Sequence, residues 1–269
     1  MATTLVTAPV YYPVSLATAK DHLRVTHNDD NEYISSLIGS ATEKVEKLMG
    51  RKLITQTWKY FLDAWPGGNE IVLPFGQLKS VTHVKYTDTG GTQYTDFDES
   101  DEFTVDTDSD PGKIKLAYGE SWPGYSLAPD NPIEIQFVCG YGAHTPLTIT
   151  GATNATPIVC TTAAHGYSVG DQVYIDGGTT LTSMNGLWRI SAVPLATTFS
   201  MTGSIGNGVY DASSATVKRV DVPEAIRQAI KIMISDMYEN RETVVMGITP
   251  TTLKTIDALL VDHRIYGHE

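Results

Sequence analysis

The chain of 269 residues offers three sets of side chains whose types and spacing could do chemistry. In AAHGYSVGDQVYIDGG, Ala163 to Gly178, His165 could act as a general base with Asp171 or Asp176 orienting it, as in a hydrolase. Such a histidine needs a nucleophile converging on it. The same residues, HG before and GD after YSV, also read as two tight turns leading into the alternating strand QVYIDG.

The second set is DFDESDEFTVDTDSD, with carboxylates at Asp96, Asp98, Glu99, Asp101, Glu102, Asp106, Asp108 and Asp110 and no base among them. Asp106, Asp108 and Asp110 open like a calcium loop. Pro111, however, stands where that loop needs glycine, and Ala117 where it needs a bidentate glutamate. The other reading is a solvated acidic loop, able to line a passage for DNA because phosphates find no partner on it. The third set is YENRE, Tyr238 to Glu242, at the end of a helical pattern. It is either a frayed helix end with i, i+3 charge pairing or a pair of interface anchors, Tyr238 and Arg241.

Metal and nucleotide chemistry have no carriers. No two histidines stand at the i, i+4 spacing of a zinc helix, and Cys139 and Cys160 lack a second ligand in sequence reach. There is no G-x-S-x-G, no Walker loop and no G-x-G-x-x-G after a strand; GSIGNG, 203–208, lies between β runs. No catalytic residue, metal or cofactor is expected, and the cysteines read as two reduced thiols of a cytoplasmic product.

The elements that would position these residues follow from periodicity. Ser15 can cap a short helix, LATAKDHLRV. After THNDD, Ile34, Leu37, Ile38, Ala41, Val45, Leu48 and Met49 form the stripe of a longer helix, with Gly50, Arg51 and Lys52 suiting its end. TWKYFLD, NEIVLP, SVTHVKYT, TQYTDF, KIKLAYG and PIEIQFVC predict an antiparallel meander, with TDTGGTQYT as a hairpin turn whose glycines take positive φ. Residues 147–219 hold 13 Thr and three charges of each sign, with Asn-Gly and Gly-Gly turns, and predict a small sandwich or barrel. Pro223 fits the first position of a helix striped by Ile226, Ala229, Ile230, Met233 and Met237. A last helix from Thr249-Pro250 carries Leu253, Ile256, Leu260 and His263 on one side.

The net charge of −12 excludes a protein that coats nucleic acid. Acid concentrates in 60–140, with 14 Asp and Glu against 4 Lys. No apolar run spans a membrane, and the N-terminus lacks the basic region of a signal peptide. Two helical ends split by β structure must reunite to bury their stripes. The expected fold class is α+β: a helical core formed by the two chain ends, with an antiparallel β middle region and a small all-β module.

YPVSLATAKDHLRVTHNDDNEYISSLIGSATEKVEKLMGRKLITQTW, then FVCGYG, then VPEAIRQAIKIMISDMYENRE, resemble in their order the head–tail connector (head-completion adaptor) family of tailed bacteriophages. The match rests on short motifs, among them Leu23-Arg24, Asp29-Asp30, Gly50-Arg51, Gln56 with Trp58, Gly140 to Gly142, Val222-Pro223 and Tyr238 with Asn240 to Glu242. In the family GYG is followed closely by VP. Here the neutral β region separates Gly142 from Val222, so His165 and its neighbours would belong to an inserted small β domain like those grafted on other phage structural proteins. The resemblance implies a discontinuous helical core, 1–54 and 220–269, with a C-terminal docking segment. It further implies an acidic β region, 55–143, and an inserted module, 144–219.

The family's function would be structural. A homo-oligomeric ring, expected to be a dodecamer, would sit in the virion between the portal protein and a stopper or tail-completion protein, pass double-stranded DNA without reading it, and assemble in the host cytoplasm. Arg24, Tyr238, Arg241, Glu242, Val244, Val245, Met246 and Ile248 would meet the portal or a neighbouring subunit. The rival readings are a tail or baseplate module binding a host glycan through Tyr174, Trp188 or Tyr210, and a hydrolase using His165 and Asp171.

Overall fold

The computed structural model describes residues 2–99, 101–142, 145–211, 215–240 and 251–265. The chain opens with strand β1 (Ala2–Thr7), then helices α1 (Leu16–Leu23) and α2 (Asn31–Met49). Ser15 caps α1 as expected, its Oγ accepting the Thr18 N–H at 3.2 Å. The α2 stripe is buried at Ile34, Leu37, Ile38, Ala41, Val45 and Met49, with Leu48 partly covered. Later come α3 (Glu224–Glu239) and α4 (Thr251–Leu260), and Pro223 caps α3 one position before its first turn. Apolar residues from Val14 to Ile54, Tyr141, and residues from Val220 to Leu260 share one buried cluster.

Between α2 and α3 the chain is β. Strands β2 (Gln56–Leu62), β3 (Glu70–Val72), β4 (Leu78–Thr87), β5 (Gln93–Phe97), β6 (Phe103–Asp106), β7 (Lys113–Leu116) and β8 (Ile133–Cys139) form two sheets. One has the order β1-β2-β8-β4-β5, the other β3-β7-β6. The pairing is antiparallel, but the expected meander does not form, because β8 enters between β2 and β4. The reason is burial. Ile133, Ile135, Phe137 and Cys139 are wholly buried, and a strand this apolar gains most with neighbours on both sides. β1 is the opposite case: all six residues are exposed, and it sits at the sheet edge. In the β4–β5 turn only Gly91 takes the positive φ expected of both glycines; Asp88 closes the turn by accepting the N–H groups of Gly90 and Thr92.

The third unit is a closed antiparallel barrel of β9 (Leu147–Ala152), β10 (Val159–Thr162), β11 (Gln172–Asp176), β12 (Gly186–Leu195), β13 (Thr198–Met201) and β14 (Thr216–Val220). Its entering and leaving strands, β9 and β14, pair side by side. Gly140 and Gly142, either side of Tyr141, have φ of 115° and 104°. A Cβ at the first would lie 2.5 Å from the Ile54 carbonyl oxygen, and at the second 2.9 Å from that of Arg219. The GYG motif therefore lets the sheet, the end of α2 and the barrel's return strand meet without side chains between them.

The end of α2 departs from the sequence reading. Arg51, expected to complement the helix dipole, is 5% exposed and turned inward. Its Nη2 donates to Asp110 Oδ2 at 2.7 Å and its Nη1 to the Tyr141 hydroxyl at 3.1 Å. Glu46, also buried, accepts the Leu53 N–H and the Lys52 ammonium, both at 2.9 Å. From the far end of the chain, the Ile265 N–H donates to the Met49 carbonyl and Arg264 Nε to that of Leu48, each at 2.9 Å.

Two predictions follow from this packing. Asp110→Asn leaves a buried guanidinium without its counter-charge, whereas Arg51→Met leaves a carboxylate that water already reaches. Asp110→Asn should therefore cost roughly 2 kcal/mol or more in urea unfolding, and Arg51→Met about half as much. Equal costs would mean that the pair is screened as a surface pair is. Cys139 and Cys160 are wholly buried in different clusters, and burial pushes each thiol up to about 12. At pH 8 a maleimide or disulfide reagent should label neither until denaturant is added.

Candidate functional site

The barrel loop that suggested catalysis is built of turns. His165 Nδ1 accepts the Tyr167 N–H at 2.9 Å, and its ring stacks on Tyr167 with centroids 4.6 Å apart, edge-on to Phe199. Asp171 Oδ2 accepts the Ser168 N–H at 2.9 Å and faces Arg219 at 3.6 Å. Asp176 accepts the adjoining Gly177 N–H. Neither acid orients the imidazole, so the residues of the hydrolase reading do not form its relay.

The aromatic residues of the glycan reading are spent separately. Tyr174 stacks on Tyr11 of the N-terminal segment with centroids 4.2 Å apart. Trp188 packs on the barrel core and donates its Nε1–H to the Met184 carbonyl, and Tyr210 donates its hydroxyl to that of Ile149. They make no common platform.

The acidic run divides by partner. Asp96 lies in β5. Glu102 accepts the Asp98 N–H at 2.9 Å, tightening the turn between β5 and β6. Asp106 accepts the Asp108 and Ser109 N–H groups through Oδ1 and the Lys115 ammonium through Oδ2 at 3.0 Å. That ammonium, and then the Ser109 N–H, hold its carboxyl down at about 2. Asp110 is bound to Arg51. Of the three aspartates that began like a calcium loop, Asp106 and Asp110 are thus held by different bases and Asp108 is exposed. Among the described residues no three His, Cys, Asp or Glu side chains are placed to hold a metal ion. Asp98, Glu99, Asp101 and Asp108 remain exposed.

Of the expected interface residues, Arg24 ends α1 in the left-handed region, φ 58°, with its side chain exposed. Tyr238 turns inward: its hydroxyl donates to Asp30 Oδ2 at 2.5 Å and its ring lies 6.0 Å from that of Tyr33. It clasps the end of α3 to the start of α2. Arg241, Glu242, Val244, Val245, Met246 and Ile248 lie outside the described residues.

Two features escaped the sequence reading. The Arg51 junction has no local signal, because a basic residue after a helix C-cap is ordinary. The uncovered N-terminal arm had one: no charged residue precedes Lys20, and Leu5, Val6, Val10 and Tyr12 are exposed. No helix among the described residues is long and apolar enough to cross a membrane.

Comparison with known proteins matches this architecture to virion parts. No curated protein matches the chain. The full length of the chain, barrel included, is similar to a chain in the neck of an empty gene transfer agent particle computed with C6 symmetry. The TM-score is 0.58 at 17% identity, covering 100% of this chain and 98% of that one. A chain in the virion of the native gene transfer agent matches over the same shares at TM-score 0.55 and 17% identity. One in the native neck computed with C12 symmetry does so at 0.51 and 16%. At these identities the likeness is one of fold. Residues 13–109, which hold α1, α2 and the first strands of the β region, match the model of the phage gp6-like head–tail connector protein. Over that stretch, about a third of its length, the chain is similar to the phage head–tail connector proteins.

Proposed function

We propose that this chain is a head–tail connector, a ring-forming adaptor of a tailed-phage virion seated between the portal protein and the stopper or tail-completion protein. The match of residues 13–109 to the connector family carries the reading, and the likeness of fold to chains of a particle neck supports it. The gene transfer agent necks were computed with six-fold and twelve-fold symmetry. Twelve copies of this chain would close by rotation through heterologous faces. In this reading the helical core, 1–54 with 220–269, is the body that meets the portal, and the segment after Arg241 docks there. The β region, 55–143, and the barrel, 144–219, face outward or toward the tail. A subunit of net charge −12 offers passing DNA no partner, so the duplex slides without being held. The work is positional and needs no catalyst or cofactor, and the ring would be built from subunits made in the host cytoplasm.

Particles produced without the protein test the reading by electron microscopy and encapsidated DNA content. Heads depleted of DNA and separate from free tails are expected. Full heads with tails attached that fail to adsorb would move the function to receptor binding.

A further inference from the structure

A cleft of about 130 Å³ lies between the barrel and the helices. Its walls are the start of α1, the first turns of α3 and the barrel strands β11 and β12. Three bases line it, Arg189, Arg227 and Lys231, against one acid, Glu224. Glu224 pairs with both Arg227 and Lys231, and Arg189 has no ion-pair partner among the described residues. Burial, and then the Arg189 guanidinium, pull Arg227 below the usual arginine range, with Glu224 opposing. Arg227 Nε and Gln172 Oε1 are buried without hydrogen-bond partners. The first turn of α1, whose N–H groups open here, carries no acid. Asp171 and Asp221, the nearby barrel carboxylates, are engaged with Arg219. On a chain of net charge −12 this is a local excess of positive charge in a concave, partly dry setting.

The complementary surface is on the same chain. Asp98, Glu99 and Asp101 are exposed around the turn between β5 and β6, beside His83, and make no ion pair among the described residues. The two surfaces are built on different elements. The cleft is walled by α1, α3 and the barrel, while the turn follows β5, an edge strand of the five-stranded sheet. Two different patches of opposite charge on one chain are what a heterologous, head-to-tail contact requires.

We infer that the Arg189–Arg227–Lys231 cleft receives the Asp98–Glu99–Asp101 turn of a second copy, the contact that joins neighbours in the ring. The inference rests on the ring reading above and gives these carboxylates a docking role in place of the lumen lining suggested by composition. It also explains how subunits of high like charge can associate: each contact joins opposite local charges.

Sedimentation velocity of the full chain at 0.05 and 0.5 M salt tests the contact. Arg189 is exposed, so Arg189→Glu should leave the fold intact by circular dichroism. Arg189→Glu, or Asp98→Lys with Glu99→Lys and Asp101→Lys, should each weaken low-salt self-association about tenfold or more. High salt should weaken every associating form. An Arg189→Glu chain that associates like the unaltered one overturns this contact and leaves the ring to other faces. A chain that stays monomeric at both salts also overturns it, and the ring reading then stands or falls with symmetric neck density in particles. Retention on duplex DNA that Arg189→Glu abolishes, with self-association unchanged, would assign the cleft to phosphate and overturn docking of a second copy.

Discussion

The structure turns on how α2 ends. A guanidinium taken out of water has to be met by charge and by hydrogen bonds, and Arg51 can satisfy this only if several distant segments stand in place together. Asp110 arrives from the acidic run, Tyr141 from the GYG turn after the central strand, and Glu46 with Lys52 closes the backbone of the helix exit. The C-terminal residues Arg264 and Ile265 then cap the last carbonyls of the helix. Helices, sheet and chain end are thereby locked at one point, through a buried guanidinium and a half-buried carboxylate.

The same logic governs charge elsewhere. This acidic chain uses many of its carboxylates as local structural acceptors: Asp88 and Asp106 close turns, Asp30 holds the Tyr238 hydroxyl, and Glu134 stands between Lys59 and His83. Composition alone treats such groups as a solvated, repulsive surface. In the structure only the carboxylates left over, such as Asp98, Glu99 and Asp101, are available to a partner, and the scarce bases decide where that partner sits.

What the sequence made legible was whatever depends on one segment at a time. The α2 stripe, the Ser15 cap, the strands of the β middle and a closed small β unit follow from periodicity and turn chemistry, which act over a few residues. The match of residues 13–109 to the connector family overlaps the first of the three stretches whose motif order carried the resemblance. Properties requiring several segments were hidden. The order of the sheet depends on competition among strands for the central place, which β8 wins by burying four side chains. The inward turn of Arg51 depends on an aspartate 59 positions away. The candidate cleft is assembled from α1, α3 and two barrel strands, so no window of sequence contains it. His165 shows the converse error, a residue type that suggests chemistry while its ring is spent on the Tyr167 backbone and on packing.

The barrel leaves the body and returns to it on adjacent strands, with Val217 paired to Leu147 and Gly142 admitting the Arg219 carbonyl at the doorway. To the host chain, a unit whose ends meet is equivalent to a short turn, because the distance it must bridge does not grow with what is hung on it. A lineage could thus acquire, enlarge or discard such an ornament by a single graft between Gly142 and Val222. Descendants with very different outer profiles would inherit the same inner frame.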